Sequence, residues 1–582
     1  MSYSKPTLKR ILLIAALTLA IILTLPLTFL QASAATLNSS SNTQDAEKAY
    51  YSSDYQYLNG DDSPVFESIT LEEAIYLFQQ KGNYLILLGG SWCGNTTASI
   101  EYINKAAKEA GVSTIYNLDF RLDGTNADTH IRETNTSEKL GKKYNYLYGE
   151  LVTRYLTNLN DWVEYTVDNK SALTYTNSEG KDVTVPKVQV PFLFVYNKDN
   201  TVNNRGESEQ GKTYPIVYGF EKMIYRDEEG LFTFNSDHTE KTRADETKYV
   251  SELKSAIFDH IGDGDGKVTL SPFTDADYIR LAYNEKSGKE IFKADEQINI
   301  RTLTYKQLEW LLNQSGNYLI LFGGSWCGNT QAVINIINDY AVANNVTVYN
   351  FDTKLDGGYA KKFWGYEGDV HIRDSENIFA NLYVDLVKKY FENIETEYTI
   401  DSGKYIYYLS DPADENSKVI ANKLQVPYFL AYNKDAVNND GHNTPILGYV
   451  EKMYVLDETK DDYIGNENNY KEYTSAAFNV VSKYAEQTGI TAVDIAEKNE
   501  TEISETQTPA ANAKTVQGNA SVTEKSETVS STESVNSAAT EKANNGNVTK
   551  IIVAVVGVVV IAGVVIFVVV KKKNSSGGGH CC

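Results

Sequence analysis

One stretch of this chain is written twice. Residues 82–96, which contain Gly89-Gly90-Ser91-Trp92-Cys93-Gly94-Asn95-Thr96, return at 316–330 as Gly323-Gly324-Ser325-Trp326-Cys327-Gly328-Asn329-Thr330, an offset of 234. Downstream, Gln189-Val190-Pro191-Phe192 matches Gln425-Val426-Pro427-Tyr428 at an offset of 236, and Glu221-Lys222-Met223 matches Glu451-Lys452-Met453. Solenoid units are far shorter than this period, so the chain holds two copies of a domain rather than a repeat array.

Each copy shows the same order of local signals. Thr70 with Glu73, and Thr304 with Gln307, have capping-box spacing ahead of an apolar-periodic helix. Continuous apolar runs 84–88 and 318–322 predict buried strands that end at the Cys motif, where helical sequence begins. Strands at 112–118 and 346–351 follow. Next comes an insertion of roughly 65 to 70 residues, helical in its middle at 146–159 and 382–394. Strands 192–196 and 428–432, then 215–225 and 445–455, precede a last helix. This is an α/β plan with a mixed sheet in each copy.

That order, with Trp-Cys-Gly at a strand-to-helix junction and Val-Pro before a later strand, resembles the thioredoxin superfamily. The resemblance implies an α/β fold of two tandem thioredoxin-like domains, 65–260 and 295–487, each with a helical insertion. It implies that Cys93 and Cys327 are nucleophilic thiols, that Pro191 and Pro427 are cis prolines positioning a partner strand, and that Trp92 and Trp326 shape an apolar rim. A Cys at a helix N-terminus meets unpaired N–H groups and the positive dipole end, which favour thiolate.

Two positions depart from the family. Thr96 and Thr330 stand where a second, resolving Cys belongs, so neither motif can complete a dithiol cycle alone. Leu87 and Leu321 stand where the family often carries a buried Asp. What remains is a monothiol motif, similar to monothiol glutaredoxins at that point only. Thr96 and Thr330 are expected to donate a hydroxyl hydrogen bond to the sulfur. The expected chemistry is mixed-disulfide formation with exported thiol- or disulfide-bearing proteins, with release by an outside thiol. Two other readings stay open: a non-catalytic surface-binding scaffold, and Cys93 and Cys327 as a structural link, to each other or to a second copy.

The ends of the chain set its expected location. Lys5, Lys9 and Arg10 precede an apolar run and the small residues Ala32-Ser33-Ala34, so 1–34 reads as a signal peptide, with an uncleaved anchor as the alternative. Residues 550–571 are long and apolar enough to cross a bilayer, and Lys571-Lys572-Lys573 stops transfer, leaving 572–582 in the cytoplasm. The stretch 488–549 is rich in Ser, Thr and Glu and poor in aromatics, and reads as a disordered stalk. A single-pass plasma-membrane protein with its domains outside results. It looks like the end of a Gram-positive surface protein, without a Leu-Pro-x-Thr-Gly sorting motif.

Composition removes other classes. With 54 Lys+Arg against 77 Asp+Glu the formal charge is −23, which argues against nucleic acid as a partner. Four Cys in 582 residues make no disulfide scaffold. No cofactor or metal is expected. Asp119, Asp123, Asp352 and Asp356 read as turn carboxylates. The EF-hand-like run at 263–268 places Ile261 and Pro272 at ligand positions. The matching His130-Ile131-Arg132 and His371-Ile372-Arg373 read as surface or structural pairs. Segments 35–64 and 261–294 read as linkers.

Overall fold

The computed structural model describes residues 43–61, 63–132, 141–163, 172–234, 239–396, 404–455 and 467–496. All of them belong to one compact unit. The signal-peptide, membrane-helix and tail assignments, and the stalk beyond residue 496, lie outside the described residues; residues 488–496, read as the start of the stalk, instead pack on the second copy, where Ile495 is buried, Tyr340 Oη donates to Asp494 and Asn344 accepts from Val493 N. Among the described residues no helix is long and apolar enough to cross a membrane.

The fold is mixed α/β. The first repeat runs α1 (Thr43–Asp54), β1 (Phe66–Ile69), α2 (Leu71–Phe78), β2 (Tyr84–Leu88), α3 (Gly94–Glu109), β3 (Ile115–Leu118), α4 (Gly141–Tyr155), the hairpin β4 (Ala172–Thr176) and β5 (Asp182–Pro186), β6 (Phe192–Tyr196) and β7 (Ile216–Glu221). A three-stranded meander, β8 (Tyr225–Asp227), β9 (Gly230–Phe234) and β10 (Lys241–Arg243), leads to α5 (Glu246–Ala256). The second repeat follows with α6 (Asp275–Ser287), β11 (Ile300–Thr302), α7 (Tyr305–Leu312), β12 (Tyr318–Phe322), α8 (Gly328–Ala343), β13 (Val348–Phe351), α9 (Ala380–Tyr390), β14 (Tyr405–Leu409), β15 (Lys418–Asn422), β16 (Tyr428–Tyr432), β17 (Ile446–Val450) and α10 (Glu467–Thr488).

Each repeat holds a five-stranded sheet, ordered β1-β3-β2-β6-β7 in the first and β11-β13-β12-β16-β17 in the second. Four strands run parallel, and the fourth in the order, β6 or β16, runs antiparallel to its two neighbours. The central strand β2 explains its apolar run. Tyr84, Ile86 and Leu88 enter one apolar cluster while Leu85 and Leu87 enter another on the opposite face. A strand covered on both faces has no polar positions. Both capping boxes form at Thr70–Glu73 and Thr304–Gln307, starting α2 and α7 where the sequence places them.

Several expectations change. The insertions hold a helix and also an antiparallel hairpin, whose alternating burial the helical reading overlooked. The stretches read as linkers each carry a helix, α1 and α6, ahead of an edge strand. The predicted strand 215–225 is split into β7 and β8, with residues 222–224 between them.

Candidate functional site

Each Cys stands as the N-cap residue of the helix after the central strand, in extended conformation and with no side-chain cap bond. The two residues before the Ser make the junction fit. A Cβ on Gly90 or Gly324 would run into the Asp119–Trp92 or Asp352–Trp326 pair that passes over it, so only glycine admits that pair. Trp92 Nε1 donates to Asp119 at 2.7 Å, and Trp326 Nε1 to Asp352 at 2.8 Å.

Cations and imidazoles also border the two tryptophans. The Arg121 guanidinium sits 3.9 Å from the Trp92 ring centre, and the Lys354 ammonium 4.0 Å from that of Trp326. His130 and His371 meet the rings edge-on at 4.9 and 5.4 Å. Both rings are half-buried and bordered by side chains of their own chain. Burial pushes the Asp119 carboxyl up to about 6 and that of Asp352 up to about 7, Glu72 adding to the second.

Burial pushes His130 and His371 down to about 2, with Arg132 and Arg373 acting the same way. These imidazoles are neutral at ordinary pH and supply no positive charge to a thiolate. The first His-Ile-Arg run is internal, Arg132 fully buried and His130 nearly so, whereas His371 and Arg373 are half-buried.

The thiols face the peptide bond before the matching proline. Cys93 Sγ donates to the carbonyl of Val190 at 3.4 Å, and Cys327 Sγ to that of Val426 at 3.3 Å. The Val190–Pro191 and Val426–Pro427 bonds are both cis. Three side chains from separate elements hold the segment that carries each carbonyl. Tyr148 Oη accepts from Val188 N and donates to Pro186 O, both at 2.8 Å, while Arg132 donates to Val188 O and Glu221 accepts from Gln189 N at 2.6 Å. In the second copy Tyr383, Arg373 and Glu451 make the same bonds around Leu424 and Gln425. Sequence reasoning missed these latches. The signal was present, since the Tyr, Arg and Glu recur in both copies.

Thr96 and Thr330 do not reach the sulfur as expected. Their side chains pack on the backbone of Gly89 and Gly323, and their buried hydroxyls bond no protein atom. The turn reading of the aspartates holds: Asp123 accepts from Thr125 N and Asn126 N, and Asp356 from Gly358 N and Val370 N. Among the described residues no group of three or more His, Cys, Asp or Glu is placed to hold a metal ion.

The two copies differ in access. Cys93 is 0% exposed, whereas Cys327 is part-exposed. Both are free thiols, so they are not joined to each other. Comparison with protein-family models and with curated proteins finds no match to the chain.

Proposed function

We propose that the chain is a membrane-anchored extracellular protein of thioredoxin-like build that exchanges disulfides through one thiol, Cys327. The observation that carries the reading is the position of that sulfur. It is part-exposed, at a helix N-terminus, and 3.3 Å from the carbonyl that precedes cis Pro427. The sheet order, with a parallel strand on one side of the Cys-bearing strand and an antiparallel one on the other, supports the thioredoxin-like part. The apolar run at 551–570, outside the described residues, supports the anchor.

In the proposed step Cys327 gives up its proton to solvent and its thiolate attacks one sulfur of a disulfide on an exported protein. A bond forms between Cys327 and that sulfur, and the second partner sulfur leaves as thiolate. The thiolate of a low-molecular-weight thiol then attacks the partner sulfur of the mixed disulfide, becomes bonded to it, and Cys327 leaves as thiolate and regains a proton from solvent. The backbone beside Pro427 would pair with the partner segment.

The test is reaction of the full chain with an aromatic disulfide, with each Cys followed separately. Cys327 is expected to react faster in the folded chain than in the denatured chain. A folded-state rate no higher than the denatured one removes the exchange reading. The closure of Cys93 favours a second reading, a non-catalytic scaffold that presents its insertions to partners. Partner binding that survives Cys327→Ser would favour that reading.

A further inference from the structure

The two repeats touch through equivalent helices that carry charges of opposite sign. Glu72 and Lys306 are equivalent residues, each in the first turn of a Thr-capped helix, α2 or α7. Asp54 and Lys286 lie on equivalent helices, α1 and α6, which are matched by Glu47 and Asp275: these accept from the equivalent Ser68 N and Thr302 N. On that match Lys286 falls one turn beyond the position of Asp54.

These four side chains pair across the repeats. Lys286 is ion-paired with Glu72, with side-chain exposures of 0% and 2%. Lys306 lies 2.5 Å from Asp54. The surroundings repeat too. Glu72 lies over Gly357 and Lys306 over Gly124, which are again equivalent positions. Tyr278 Oη donates to Glu72 at 2.9 Å, Lys286 to the Gly357 carbonyl at 2.6 Å, and Lys306 to Ser91 Oγ.

Helix α2 meets α6 and α7 meets α1, with Tyr76 against Tyr278 and its equivalent Trp310 against the equivalent Tyr50, which is the pattern of an isologous two-fold contact. The signs break that symmetry. The first repeat supplies both carboxylates and the second both ammonium groups. A first repeat set against its own kind would bring Glu72 to the helix that carries Asp54; a second repeat against its own kind would bring Lys306 to the helix that carries Lys286. Like charges at such buried contacts oppose association.

We infer that this face is a partner-selecting interface, built to accept only the opposite repeat, so that the chain closes on itself instead of pairing repeat with like repeat in a second copy. The contact continues through Tyr146 stacked on Tyr366 at 3.9 Å and Gln79 donating to Tyr359 Oη at 2.9 Å, which fix the docking but carry no sign. This does not rest on the thiol reading.

The test uses charge reversal in the full chain, followed by scanning calorimetry. Asp54→Lys with Glu72→Lys makes all four positions basic. That chain is expected to lose the first unfolding transition or to show it lowered by about 10 °C or more. Adding Lys286→Glu and Lys306→Glu restores opposite signs in exchanged places, and the transition is expected to return to within a few degrees of the wild type. A fourfold variant no more stable than the twofold one overturns the inference, whether or not either folds. So does a twofold variant that melts like the wild type.

Discussion

Cys327 and Val426 are joined by a thiol-to-carbonyl hydrogen bond of 3.3 Å, and the carbonyl belongs to the peptide that leads into cis Pro427. The first repeat builds the same bond between Cys93 and Val190, yet there the sulfur is sealed. The local geometry is therefore shared and the access is not. Whatever separates the chemistry of the two copies lies in what surrounds the site, since both motifs read Trp-Cys-Gly-Asn-Thr.

The tyrosine latches should prove structural in both copies. Tyr383→Phe removes an acceptor for Leu424 N, which is then buried without a partner, and it removes a donor to Asn422 O. A loss of about 1–3 kcal/mol in urea unfolding is expected for each of Tyr383→Phe and Tyr148→Phe. A loss near zero in both would show that the pre-proline segment is held without them.

The two glycines beneath the crossed side chains should differ. Both have positive φ, 75° at Gly124 and 61° at Gly357, so Ala is strained at either. At Gly124 the added Cβ meets the flexible Lys306 stem at 2.7 Å. At Gly357 it meets the carboxylate of the buried Glu72–Lys286 pair, which has no room to move. Gly124→Ala should cost about 1–2 kcal/mol, and Gly357→Ala on the order of 3 kcal/mol or more. Equal losses in denaturant titration would contradict that difference.

Stability should fall as pH rises through the weakly acidic range. The Asp352 carboxyl is raised to about 7 in the folded chain, against roughly 3.9 unfolded. Between these values the native state holds a proton that the unfolded state has released. The stabilisation is complete below about pH 4 and lost as pH climbs to about 7. Asp119, raised to about 6, has the same sign. Asp352→Asn keeps an oxygen acceptor for Trp326 and removes the titration. The drop in unfolding free energy between pH 5 and 7 should shrink by about 1–2 kcal/mol. An unchanged slope would place the pH dependence elsewhere.

Much of this architecture is legible in the sequence where one local signal decides the outcome. The capping boxes start α2 and α7 as spaced, and the runs 84–88, 192–196, 318–322 and 428–432 are strands with those bounds. Misses occur where tertiary context decides. The edge strands β1 and β11 are four and three residues long, too short for periodicity to register. Helices α1 and α6 have weak apolar stripes, because polar residues such as Glu47 and Lys286 face the other repeat through ion pairs instead of an apolar core. The site divides in the same way. The Cys, cis Pro and Trp stand out in the motif, but the burial of Cys93 and the cations over the tryptophans arise from contacts far along the chain.

Alkylation of the folded full-length chain, with mass spectrometry reporting Cys93 and Cys327 separately, tests the central claim most directly. Cys327 should label in the native state, and faster than in denaturant, while Cys93 should label only on unfolding. Equal labelling of both sulfurs in the folded chain, or a Cys327 as inert as Cys93, would contradict the assignment of exchange to the second repeat.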